Sequence, residues 1–172
     1  MIALDIDNTL AATNPALWRM FPDADRTRCH GAPLPPSWFG TESGRRFLAE
    51  LRPLRGARRA AWLLARRARL VYVTSRPPAT VAETWAWLRR FRFPCGLLVF
   101  AGSSAAKARW ATLLRIKLAI DDDPAAAAAY RAAGVRCLLP RWRYNADDPE
   151  AAPWPGLWRA IDFGAPASRH PL

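Results

Sequence analysis

Five short runs of this chain are apolar nearly throughout, and the stretches between them are long enough to hold a helix each. The runs are residues 1–6, 69–74 (RLVYVT), 97–100 (LLVF), 117–121 (KLAID) and 135–139 (VRCLL). A strand with one face in water alternates apolar and polar positions; one covered on both faces does not. The intervening segments follow a helical period instead. Residues 55–68 align Ala57, Ala60, Ala61, Leu64 and Ala68 on one stripe, with arginines over much of the rest. Residues 78–91 repeat this with Val81, Trp85 and Leu88, and residues 104–114 with Ala106, Trp110 and Leu113. Residues 124–133 are alanine-rich and stop at Gly134, a residue suited to a helix C-terminus. Alternating strands and helices predict an α/β domain: a doubly wound, Rossmann-like, parallel five-stranded sheet.

Two segments break the rhythm. Residues 14–50 carry prolines, glycines and the aromatics Trp18, Phe21, Trp38 and Phe39, which reads as a small cap inserted after the first strand. Residues 149–172 form a Pro- and Trp-rich tail. The expected organisation is therefore a core of residues 1–13 and 51–148, a cap of 14–50 and the tail. A length of 172 residues suits one domain with a proper core. Most of the nine tryptophans fall at helical spacing and are expected in that core.

Composition narrows the partners. No apolar run approaches the roughly 20 residues of a membrane span, and an acidic residue at position 5 does not fit a secretory signal. Cys29, Cys95 and Cys137 are widely spaced and odd in number, so no disulfide framework is expected and the cytoplasm is the predicted location. The formal charge is +12, nearly all of it arginine, with Lys107 and Lys117 the only lysines. Such a field attracts anions, nucleotides and nucleic acid among them.

The candidate chemistry lies where the strands end, because open α/β sheets bind ligands beyond the carboxyl ends of their strands. The first run delivers Asp5 and Asp7, on one face of a strand, with Asn8 and Thr9 behind them. Two carboxylates so close repel each other and call for a cation or a shared proton. The second run ends in Thr74, Ser75 and Arg76, hydroxyls and a guanidinium suited to phosphate oxygens. After the third comes Lys107, early in a helix. The fourth ends in Asp121, Asp122 and Asp123. Asp123 precedes Pro124, the pattern of an N-cap and first helical residue, and is assigned mainly to capping. Cys29–His30 has no second pair at zinc-ligand spacing and is not taken as a metal site.

This order of motifs, D-x-D-x-T, then Thr/Ser, then Lys, then paired Asp, resembles the haloacid dehalogenase (HAD) superfamily of phosphotransferases. The texture PLRGA, TSRPP, ETWAWL, IDDDP and RYN further resembles the cytosolic-type 5'-deoxyribonucleotidases and their uncharacterised bacterial relatives. The resemblance implies a phosphomonoester hydrolase with Asp5 as nucleophile and Asp7 as acid and base. Neighbouring negative charge is expected to raise the pKa of Asp7 so that it can hold a proton. It also implies Mg²⁺ held by Asp5, the Asp7 backbone carbonyl and Asp122, with Asp121 behind or through water; the register of these last two is open by one residue. Thr74, Ser75, Arg76 and Lys107 would bind the substrate phosphate, and Asn145 of the RYN would lie near the site.

The expected substrate is a small phosphomonoester, a nucleoside monophosphate first. Two rivals stand beside it. ETWAWLRRFRFP also resembles the phosphatase domains of polynucleotide kinases, which implies a polynucleotide 3'-phosphatase; no P-loop for a kinase half occurs in the chain. A non-catalytic, arginine-rich nucleic-acid-binding module is the other, although a cluster of acids gives such a module nothing. Oligomeric state is not legible.

Overall fold

The computed structural model describes residues 1–154, together with 156 and 157. Six parallel strands form one sheet: β1 (Ile2–Leu4), β2 (Leu70–Thr74), β3 (Gly96–Phe100), β4 (Leu118–Ile120), β5 (Arg136–Pro140) and β6 (Ala151–Ala152). Their order is β3-β2-β1-β4-β5-β6, so β1 sits between β2 and β4. Leu4 is level with Tyr72 on one side and Ile120 on the other, which brings the ends of all three strands to one edge.

Side-chain alternation sorts the strands between two cores. Ile2, Leu4, Leu70, Tyr72, Ile120 and Leu138 face helices α2 (Glu42–Glu50), α3 (Ala57–Ala65) and α4 (Val81–Arg90), where Leu48, Ala60, Leu64 and Trp87 complete the packing. Ala3, Val71, Val73, Ala119 and Cys137 face α5 (Ser104–Leu113) and α6 (Pro124–Ala132) through Ala111, Ala126 and Tyr130. This two-faced burial is why the runs of β1, β2, β4 and β5 lack alternation, whereas β3 lies at the sheet edge and leaves Leu97 exposed. The Tyr72 hydroxyl donates to the Pro94 carbonyl and the Trp87 indole to that of Leu51, so neither large residue buries an unpaired donor.

The sequence expectations for two helices need correction. On α4 the buried positions are Thr84, Trp87 and Leu88, whereas Val81 and Trp85 are exposed. On α5 they are Ala106, Lys107, Ala108 and Ala111, while Trp110 and Leu113 face outward, the latter 70% exposed. The cause on α5 is chemical: Lys107 must point inward, which turns the large apolar residues away and leaves alanines to touch the sheet. Among the described residues, Trp62, Trp85 and Trp110 are exposed and Trp87 and Trp154 are the buried tryptophans. A sixth strand was not expected either. It comes from the segment read as a tail and pairs Ala151 with Leu139. Trp154 and Leu157 then tuck into the core under α3. Residues 155 and 158–172 lie outside the described residues.

Residues 14–50 leave β1 through α1 (Thr13–Met20), a loop, a 3₁₀ turn at Pro36–Gly40 and α2. Of the aromatic residues expected there, Trp38 and Phe39 meet edge-on at 5.2 Å, Trp38 also meets Phe47 at 5.6 Å and both phenylalanines extend the core beside Leu48, whereas Trp18 packs edge-on against Trp142 at 5.8 Å. Gly44 permits this, because a Cβ there would lie 2.1 Å from the Trp38 carbonyl oxygen. Thr41 caps α2 by accepting from the Gly44 N–H. Among the described residues no helix is long and apolar enough to cross a membrane.

Candidate active site

At the carboxyl edge of the sheet the chain gathers its acids. Asp5 follows β1 directly, and its N–H donates to the Ile120 carbonyl, which locks it against the end of β4. Asp121 and Asp122 follow Ile120 itself. One carboxylate oxygen from each of Asp5, Asp121 and Asp122 lies within 4.8 Å of the others, all three buried. Lys107 reaches into this group from α5: its Nζ donates to Asp5 Oδ1 at 2.8 Å and to Asp121 Oδ2 at 2.7 Å. Ser103 starts that helix by accepting from the Ala106 N–H, which fixes where Lys107 falls.

Three buried carboxylates against one ammonium leave an excess of negative charge. Burial, opposed by Lys107 and reinforced by Asp121 and Asp7, pushes Asp5 up to about 8. Burial likewise lifts Asp121 to about 6 and Asp122 to about 7. Lys107 responds in the opposite sense: burial alone would lower its pKa, but Asp121 and Asp5 hold it well above the usual lysine value. A divalent cation would relieve that excess, and hard carboxylate oxygens suit Mg²⁺. The donor set therefore fits the ion expected from the sequence.

Asp7 stands apart, and here the structure overturns the expectation for its pKa. Its carboxylate is paired with Arg76, whose Nε and Nη2 donate to Oδ2 and Oδ1 at 2.8 and 2.9 Å. Thr13 Oγ1 donates to the same Oδ1 at 2.7 Å. Burial would raise the pKa, but this clamp outweighs it and holds Asp7 down at about 2. The neighbouring negative charges are simply weaker than an adjacent guanidinium.

Arg76 is accordingly neither a surface charge nor a group pointing at open solvent: its side chain is 2% exposed. Thr74 is buried at the end of β2, and its Oγ1 accepts from the Arg76 N–H at 3.2 Å. Ser75 is exposed beside it. Asp123 does cap α6, accepting from the Ala125 and Ala126 N–H groups, and also accepts from Ser104 Oγ at 2.7 Å.

Around the cluster lie Asn8 and Thr9 of the first motif and Asn145 of the RYN, together with Tyr144 and Cys29, which no sequence signal placed there. Asn8 takes a left-handed φ of 57°, which asparagine tolerates, and this turns the chain out of β1. Thr9 Oγ1 donates to Asp122 Oδ1 at 3.1 Å while accepting from the Asp122 N–H. Tyr144 Oη donates to Asp122 Oδ2, and Asn145 Nδ2 donates to the Asp122 carbonyl at 2.9 Å. Asn145 thus ties down the loop that carries Asp122. Cys29, set aside as an isolated Cys–His pair, reaches Asp122 Oδ2 with its Sγ at 3.6 Å. Burial and the Asp122 charge push that thiol up, away from thiolate character. A cavity of about 680 Å³ adjoins the same loop, with Phe21, Arg28, Cys29, His30 and Leu34 among its lining.

A doubly wound parallel sheet with these motifs at its carboxyl edge places the chain in the HAD superfamily of hydrolases, and comparison with known proteins specifies the branch. The family model described as "5' nucleotidase, deoxy (Pyrimidine), cytosolic type C protein" matches residues 39–162, and the chain belongs to that family. It is a HAD-type phosphatase. The matched stretch holds Thr74, Arg76, Lys107 and the aspartates 121–123; Asp5 and Asp7 lie outside it and stand on the structure. No curated protein matches the chain. Among solved structures, an L-2-haloacid dehalogenase is similar with a TM-score of 0.62 at 16% identity, covering 93% of this chain and 98% of its own. CbbY from Rhodobacter sphaeroides, solved in complex with phosphate, gives 0.58 at 19% identity over 88% of this chain and 90% of its own. A haloacid dehalogenase-like family hydrolase from Xanthomonas campestris gives 0.54 at 15% identity, covering 93% of each chain. At these identities the likeness concerns the fold.

Proposed function

We propose that this protein hydrolyses nucleoside monophosphates through a phosphorylated Asp5, with Mg²⁺ as cofactor. Asp5, Asp122 and the Asp7 backbone carbonyl would hold the ion, with Asp121 beside them. The ion would supply charge neutralisation for the phosphate and the nucleophile. Asp5 then attacks phosphorus in line, and the bond to the leaving alcohol breaks as that oxygen takes a proton from Asp7. Water attacks the phosphorylated Asp5, gives its proton back to Asp7 and releases phosphate. Thr74 and Ser75 would bind phosphate oxygens, and Lys107 would move from its carboxylate partners onto the incoming dianion.

The ionised Asp7 of the free enzyme is already suited to the second step, as base. For the first step it needs a proton, and the arriving phosphate dianion raises its proton affinity by adding negative charge nearby. The observation that carries the reading is the set of three mutually close, buried acids bridged by one lysine. That arrangement is costly for folding and useful only for a cation and a phosphate.

Of residues 14–50, the part before α2 would act as a cap, since α2 itself packs against the sheet. The loop bearing Cys29 and His30 leans on the metal-site acids, which favours a small substrate over a polymer end. The cavity beside it would receive the nucleoside. The test is a panel of 5'- and 3'-nucleotides, sugar phosphates and 3'-phosphorylated oligonucleotides, assayed with Mg²⁺ and with EDTA. Turnover of 5'-mononucleotides that is lost with chelator and restored by Mg²⁺ is expected. Preference for oligonucleotide ends would give the polynucleotide 3'-phosphatase reading instead.

A further inference from the structure

The clamp on Asp7 assigns work to Arg76 that the phosphate-binding expectation did not contain. We infer that Arg76 is a positioning residue for Asp7, holding its carboxylate so that Oδ2 is the oxygen through which protons pass. This rests on the acid and base role of Asp7 proposed above.

Each carboxylate oxygen offers about two lone pairs. Oδ1 of Asp7 has both engaged, by Thr13 Oγ1 and Arg76 Nη2. Oδ2 accepts a single bond, from Arg76 Nε at 2.8 Å, and keeps one lone pair for a proton. The fork also fixes the plane of the carboxylate, because a guanidinium binding through two nitrogens tolerates little rotation. Arg76 is itself held. Its N–H donates to Thr74 Oγ1, and its Nη1 donates to Thr84 Oγ1 at 3.2 Å, on buried α4 surface. The chain Thr84–Arg76–Asp7 therefore connects a core helix to the reacting group. In the first step the proton leaves Oδ2 for the departing alkoxide; in the second the attacking water returns one to the same atom.

Phosphate contact and positioning of Asp7 differ in what they leave behind when removed. Arg76→Lys keeps the positive charge and loses the fork; Thr84→Val keeps the shape and loses the anchor. Both are measured in the full chain with Mg²⁺, with Asp7→Asn as reference. The quantity is kcat/KM, which reports steps through departure of the alcohol, for a nucleoside 5'-monophosphate and for p-nitrophenyl phosphate. The aryl leaving group needs no proton, and the nucleoside does. Inorganic phosphate affinity is measured by calorimetry on the same proteins.

Arg76→Lys should lose about tenfold or more in kcat/KM on the nucleotide relative to the aryl ester, with phosphate affinity within about twofold of wild type. Thr84→Val should shift the ratio the same way by a smaller factor, and decides the matter if Arg76→Lys does not fold. An equal loss on both substrates overturns the inference, whether or not phosphate affinity falls with it. Failure of the underlying reading is distinguishable: Asp7→Asn would then show no discrimination between the two leaving groups.

Discussion

Each acid at the sheet edge sits in a different balance of burial and neighbouring charge, and those balances give opposite pH dependences. Asp5, Asp121 and Asp122 have folded values above the ordinary carboxylate value of about 4. Folding therefore takes up protons at these sites; the stability they contribute is complete below about pH 4 and is lost as pH rises through roughly 6 to 8. Asp7 works the other way. Its value is depressed, so its contribution is present above about pH 4 and lost as pH falls toward 2. Metal-free protein should accordingly melt at a higher temperature at pH 5 than at pH 8, read by calorimetry in EDTA. A Tm that rises steadily to pH 8 would contradict the charge excess. Asp5→Asn removes one of the crowded charges, so it should abolish turnover and yet raise the metal-free Tm at pH 8. Loss of both activity and stability would mean that Asp5 supports the fold.

At the scale of elements, helix termini and helix faces decide which residues reach the site. Asp123→Ala removes the α6 cap and should cost about 1 kcal/mol in urea unfolding, leaving Mg²⁺ activation intact, because that side chain is occupied with Ala125, Ala126 and Ser104. Trp87→Ala should cost about 3–5 kcal/mol, since Trp87 fills the contact between α4, Phe91 and Phe93. A small effect there would misplace the core.

How far the sequence reveals these features follows the range of the interaction concerned. Strand positions are legible because burial on both faces writes unbroken apolar runs, and the Asp123–Pro124 cap is legible because its physics is local. The inward faces of α4 and α5 are not, since Trp85, Trp110 and Leu113 satisfy the helical period yet face outward, the latter two on the helix whose Lys107 points inward. Strand β6 is two alanines long and has no period at all. The Asp7–Arg76 fork joins residues 69 positions apart, and Cys29 meets Asp122 across 93; neither leaves a local trace.

Over the whole molecule, a formal charge of +12 favours anions, while the proposed site is itself acidic and would need a cation before it could take one. Binding and folding should therefore be coupled: Mg²⁺ at about 100 times its dissociation constant should stabilise the protein by about 2.7 kcal/mol, and one fixed Mg²⁺ concentration should stabilise it more at pH 8 than at pH 5, because protons compete for the same carboxylates. An unchanged Tm on adding Mg²⁺ would remove the metal site from the account. The central claim is that the phosphoryl group passes through Asp5. It is tested by acid-quenching the enzyme during turnover of a nucleoside 5'-monophosphate labelled in the phosphate, then mapping the label. The expected result is hydroxylamine-labile label on the peptide containing Asp5, absent from Asp5→Asn. Label on another residue, or continued turnover by Asp5→Asn, would contradict it.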